Sequence, residues 1–156
     1  MKTMNSAIVF NCSYNGWSVV KDLARNGVEE IYALDFERSV GTYSKYAEYI
    51  RCPNPLTHEM EFIDFLIELA KQINNVPVLF PTNDHWVQAL AHHKDRLKGI
   101  FHLWVPEGSV IDLIIYKNEF YEWASERGYP VPASWSLSQI HQIPVSSYPI
   151  AEWFSA

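Results

Sequence analysis

The opening of the chain narrows its fold more than any other feature. Ala7 to Phe10 is a continuous apolar run stopped by Asn11, Cys12, Ser13, Tyr14, Asn15 and Gly16, the pattern of a strand buried on both faces and closed by a loop. Trp17, Val19, Val20, Leu23 and Ala24 then recur at helical spacing opposite Lys21, Asp22 and Arg25, and Asn26-Gly27 supplies a left-handed stop. A second apolar run, Glu30 to Leu34, ends on Asp35. Strand, helix and strand in this order predict a right-handed unit with its two strands parallel.

The alternation continues. Tyr49 to Cys52 reads as a short strand closed by Pro53 and Pro55. Thr57 then stands as the cap of a helix with Glu59 and Glu61 in its first turn and Phe62, Phe65, Leu66, Leu69 and Ile73 as its buried stripe. Val76 to Phe80 is a further strand, ended by Pro81, Thr82 and Asn83; Asp84 opens a helix that packs Val87, Leu90, Ala91 and Leu97 and stops at Gly99. Ile100 to Val105 is expected as the next strand. Ser109 to Asp112 has the spacing of a capping box, after Pro106, and a last helix from Asn118 to Arg127 ends at Gly128, with Pro130 and Pro132 beyond. The expected fold is α/β, a doubly wound and mainly parallel sheet over residues 1–132. Residues 133–156 lack a sustained period and read as an extended arm or the start of a truncated further domain. Their apolar residues, among them Trp135, Ile140 and Trp153, predict association with a second copy, a possible homodimer.

Composition removes several classes of function. With 156 residues, 48% of them hydrophobic, the chain can bury a core and is not disordered in the main. Twelve Lys and Arg against eighteen Asp and Glu give a charge of -6, so there is no basic field for a nucleic acid or an anionic membrane surface. Cys12 and Cys52 are too few for a disulfide framework, and no Cys/His pairing has zinc-site spacing. The N-terminal apolar run is too short for a signal peptide, and no stretch approaches ~20 apolar residues. A cytoplasmic protein without a membrane segment is expected.

In a parallel sheet of this kind ligands bind beyond the carboxyl ends of the strands, where strand order reverses. Three loops should lie there, which makes Asn11, Cys12, Ser13, Tyr14, Asn15, Gly16, Asp35, Thr82, Asn83 and Asp84 the candidate substrate-binding residues. The first loop has Gly16 but no G-x-G-x-x-G, so a dinucleotide-binding dehydrogenase is disfavoured. Asp35 reads first as a turn former and second as a ribose-binding acid, and Thr82-Asn83-Asp84 as a helix cap before a ligand contact. Cys12 at the end of the first strand has the place of a nucleophile, but no His stands in a supporting relation, which leaves a structural thiol as the simpler reading. His85, His92 and His93 read as a solvated helix face, and Trp86, Trp104 and Trp123 as core. By pattern alone Lys117 is a surface lysine.

Asn15-Gly16, the strand ending at Asp35, Ser44-Lys45-Tyr46, Cys52-Pro53, Val78-Leu79-Phe80-Pro81-Thr82-Asn83-Asp84 and the stretch from Lys117 to Gly128-Tyr129-Pro130-Val131-Pro132 together resemble the N-terminal domain of ATP-grasp ligases of the carbamoyl-phosphate-synthase-like group. The resemblance covers residues 7–150. It implies a Rossmann-like domain on the substrate side of an enzyme that joins a carboxylate to an amine through an acyl phosphate, using ATP and magnesium. It also implies a nucleotide contact for Lys117, although Tyr116 stands where the family has an Asp. Tyr148-Pro149-Ile150 is similar to the beginning of the next domain, but Glu152-Trp153-Phe154 follows in place of the expected Lys-Pro. The phosphate-binding lysine and the acidic magnesium ligands do not appear. The resemblance therefore implies ATP and magnesium for the full-length enzyme, and no cofactor and no catalysis for this chain alone. Its partners would be a small carboxylate or amine substrate and the missing ATP-grasp domain. A stand-alone small-molecule or protein-binding module is the alternative.

Overall fold

A computed structural model describes residues 5–133 together with Trp135 and His141; the expected arm otherwise lies outside the described residues. Packing divides the chain between Asp112 and Leu113.

The first unit is built on four short parallel strands, β1 (Ala7–Phe10), β2 (Ile31–Asp35), β3 (Glu48–Arg51) and β4 (Val78–Phe80), in the spatial order β3-β2-β1-β4. Strand order reverses at β1. The chain first steps from β1 outward to β2 and β3, then crosses back to place β4 on the other side of β1, leaving the reversal point between β1 and β4.

Side-chain alternation explains why both faces need helices. Ile8, Phe10, Leu34 and Leu79 project into one core, shared with Phe62, Ile63, Leu66 and Leu69 of α2 (Glu59–Ala70) and with Trp86, Ala89 and Leu90 of α3 (Asp84–His92). Val9, Ile31 and Ala33 project into the other, covered by Val20, with Val19, Leu23 and Ala24, of α1 (Tyr14–Arg25). A strand with period-two side chains buried on both sides cannot be left open on either. The fold is accordingly a doubly wound α/β sheet of Rossmann-like form, as the alternation predicts. The larger core is centred on aromatic contacts: Phe62 and Trp86 meet edge to face at 5.1 Å, and Phe10 stacks on Trp86 at 5.4 Å.

The structure corrects the sequence reading at four points in this unit. Thr57 does not cap α2; His58 holds that position without a side-chain cap bond. Asn54 sets the entry instead, its side chain accepting from Leu56 N and its carbonyl from the amides of Thr57 and His58. The helix expected from Asp84 to Leu97 is interrupted at His93, where α3 ends and a single turn, α4 (Lys94–Leu97), begins. The segment from Ile100 to Val105 is not a strand. Only His102 pairs with β4, accepting from Leu79 N and donating to Pro77 O, while Phe101 forms an isolated bridge with Lys98; β4 has three residues, and Pro81 just beyond offers no N–H. Trp104 is 89% exposed rather than core.

The boundary falls within α5 (Gly108–Ile115), and the second unit holds α6 (Lys117–Glu126). Gly128 takes φ +73°, and Tyr129 N returns to Ala124 O, so α6 closes on a left-handed glycine as the sequence indicates. Trp123, read as core, is 36% exposed. It stacks between Phe120 and Tyr129, with the Arg127 guanidinium 4.5 Å from its ring. Among the described residues no helix is long and apolar enough to cross a membrane.

Candidate functional site

Parallel strands put the loops after β1, β2 and β4 along one edge of the sheet, and the structure ties them together there. Thr82 Oγ1 lies 2.9 Å from Phe10 O and 3.0 Å from Asn11 O, so its hydroxyl joins the loop after β4 to the loop after β1 across the reversal point. Asn11 takes φ +51°, the left-handed region, alone among the described residues other than glycine. That turn brings the chain sharply into α1. Gly16 makes the approach possible: a Cβ there would stand 2.5 Å from Asn11 O.

Asp35 acts inside this frame. It is 3% exposed, and its carboxylate accepts from Cys12 N at 2.9 Å, Phe36 N at 3.0 Å and Ser39 Oγ at 3.0 Å. The strand-ending acid thus clips the loop after β1 to the loop after β2, which is the turn-forming reading given first above. Its oxygens are engaged by the protein, with little surface left for a ligand. Cys12 is also turned inward. Its side chain is fully buried, its thiol faces Val9 O at 3.3 Å, and burial, followed by the charge of Asp35, pushes the thiol up to about 12. A thiol so placed is not a thiolate nucleophile at neutral pH. The backbone of Cys12 is spent as well, its N–H on Asp35 and its carbonyl on Gly41 N.

Sequence reasoning missed the cover over this loop. A 3-10 turn, Val40–Tyr43, begins with Ser39 and Thr42 exchanging side-chain and backbone hydrogen bonds. Gly41 N donates to Cys12 O at 2.6 Å, and a Cβ on Gly41 would collide with that carbonyl. The signal lay in Ser39-Val40-Gly41-Thr42, where polar residues three apart flank a glycine.

The remaining candidates are on the surface of the same edge. Tyr14 is 77% exposed, Asn15 is exposed and Ser13 half-buried, at the N-terminal turn of α1; the first intrahelical bond runs from Trp17 N to Ser13 O, so the preceding amides stand at the positive end of the helix. Asn83 caps α3 by accepting from His85 N at 3.0 Å, and Asp84 is exposed beside it. Asn11, Tyr14, Asn15, Thr82, Asn83 and Asp84 are therefore the members of the set with polar groups at the reversal point. Lys117 belongs to the second unit, as the first residue of α6.

Two histidines read as solvated are engaged elsewhere. His93 Nε2 lies 2.8 Å from Glu59 Oε1, and His92 Nε2 lies 3.0 Å from Asp112 Oδ1. Gln88 donates to Asp112 at 2.7 Å, and that bond, with the contact to His92, holds the Asp112 carboxyl below the usual carboxylate range against the opposing effect of burial. These contacts hold the first turn of α2, the end of α3 and α5 together. Among the described residues no group of three or more His, Cys, Asp and Glu side chains could hold a metal ion. No family model and no curated protein matches the chain.

Proposed function

We propose that this chain is the substrate-side N-terminal domain of an ATP-dependent ligase that joins a carboxylate to an amine. The observation that carries the reading is the Thr82 bridge. It brings Pro81-Thr82-Asn83-Asp84, one of the two most specific segments of the resemblance, against the loop after β1 at the point where ligands bind in this fold. There the α1 N-terminal turn offers positive backbone dipoles to a carboxylate, and Asn15, Asn83 and Asp84 offer polar groups to an amine. Gly16 is the single glycine of this loop, and without the other glycines of G-x-G-x-x-G a dinucleotide pyrophosphate is disfavoured.

Among the described residues no group of three or more His, Cys, Asp and Glu side chains could hold a metal ion, and Asp35 is spent on loop contacts. No phosphoryl-transfer step is therefore assigned to them. ATP and magnesium belong, on this reading, to the ATP-grasp part of the enzyme, with Lys117 the residue of this chain that reaches the nucleotide.

Titration of the ¹⁵N-labelled chain with a panel of small carboxylates and amines tests the reading. At least one member should shift the amides of Asn11 to Gly16 and Thr82 to Asp84 in a saturable manner. A stand-alone protein-binding module would leave those amides unmoved across the panel.

A further inference from the structure

A second cleft lies on the same edge of the sheet, away from the reversal point, between the ends of β2 and β3 and the first turn of α2. It is an open depression of about 380 Å³, lined by Phe36, Arg51, Pro53, Asn54, His58 and Glu61, among others. Its charges are unspent. Arg51 is held by its Nε, which donates to Phe36 O at 3.0 Å, a bond that leaves its terminal guanidinium nitrogens unused. None of the ion pairs among the described residues uses Arg51 or Glu61. The two do not neutralise each other, although they line one cavity. The neighbouring polar groups are held in place: Asn54 Oδ1 accepts from Leu56 N, leaving its amide donors, and His58 Nδ1 meets Thr57 Oγ1 at 2.7 Å, leaving Nε2. Glu59, the other acid of this helix turn, is engaged with His93.

We propose that this cleft binds a free α-amino acid, with its carboxylate on Arg51 and its ammonium on Glu61. A guanidinium forms paired hydrogen bonds with a carboxylate, while a simple anion would meet the Glu61 charge and a simple amine the Arg51 charge. A zwitterion satisfies both. The ring of Phe36 and Pro53 offer an apolar wall to its side chain. This site is separate from the loops around Thr82 and does not depend on the ligase reading.

The probe is L-leucine, compared with 4-methylpentanoate, which lacks its amine, and 3-methylbutylamine, which lacks its carboxylate. Leucine should shift the amides between Arg51 and Glu61 in the ¹⁵N spectrum of the full chain, with both analogues at least about tenfold weaker. Arg51→Gln should weaken leucine by about tenfold or more. Glu61→Gln should weaken leucine while leaving 4-methylpentanoate unchanged or tighter, a split that a carboxylate site alone would not give. Both positions are exposed, and the same spectra confirm that the variants are folded. The proposal is overturned if leucine up to about 50 mM gives no saturable shift, if 4-methylpentanoate binds as well as leucine, or if Glu61→Gln leaves leucine binding intact. Leucine shifts at Asn11 to Gly16 and Thr82 to Asp84 without any at Arg51 to Glu61 would overturn it and leave the proposed function standing; shifts confined to Arg51 to Glu61 would support it, and the panel titration above decides the proposed function separately.

Discussion

Replacing Asp35 by alanine should cost more stability than any surface substitution, although no ion pair is lost. The carboxylate accepts three hydrogen bonds, from Cys12 N, Phe36 N and Ser39 Oγ. Ser39 can turn its hydroxyl elsewhere, but the two backbone donors cannot move without the loops they belong to. A buried donor left unsatisfied costs about 1–3 kcal/mol, so Asp35→Ala, which strands two, should lose about 2–6 kcal/mol, a large share of the total stability of a small domain. Asp35→Asn retains one accepting oxygen and should lose less, about 1–3 kcal/mol. Urea unfolding followed by circular dichroism measures both, and the denaturant slope should stay unchanged if only native contacts are lost. Loss of less than about 1 kcal/mol in the alanine variant would show that the carboxylate does not hold the two loops together. A ligand-contacting Asp35 would behave differently, losing binding in the asparagine variant at nearly unchanged stability.

Alkaline pH should destabilise the fold through its two thiols. Burial, with the charge of Asp35, raises both Cys12 and Cys52 from 9.0 to about 12, so the folded state keeps protons that the unfolded state releases. The contribution is fully present below pH 9 and is lost toward pH 12, at roughly 1.4 kcal/mol per pH unit for each thiol; unfolding curves between pH 8 and 11 should show it, and Cys52→Ala should roughly halve the slope. Gly41→Ala should cost about 1–3 kcal/mol, read from thermal unfolding, because its new methyl meets the backbone carbonyl of Cys12; an unchanged midpoint would mean that the 3-10 turn is free to shift. Thr82→Val keeps the shape and removes the hydroxyl, and it should lower stability by about 1 kcal/mol while broadening or moving the amide signals of Asn11 and Cys12.

The sequence exposed the winding of the sheet because β1, β2 and β4 are short apolar runs with a clear stop, as at Phe10-Asn11 and Phe80-Pro81, and because Asn26-Gly27 and Gly128 mark helix ends by local chemistry alone. The edge segment at His102 was misread since a strand needs a partner of adequate length, and the three residues of β4 could not be known from Ile100 to Val105 themselves. Trp104 was misread for a related reason: spacing reports periodicity but not whether a second surface exists to bury the ring. At the site, the positions of Asn11 to Gly16 and Thr82 to Asp84 followed from parallel winding. Which atoms were already spent did not. The clip formed by Asp35 and the cover supplied by Ser39, Gly41 and Thr42 depend on loops meeting in space, as does the depression that Arg51 and Glu61 line.

The most direct measurement for the central claim is phosphate release by the purified chain with magnesium-ATP and a panel of carboxylates and amines. On the proposed reading of a substrate-side domain, the protein should release phosphate at the background rate with every pair, and Lys117→Ala should change nothing. Turnover above background that is lost on Lys117→Ala would contradict the account, since it would place phosphoryl-transfer chemistry within this chain.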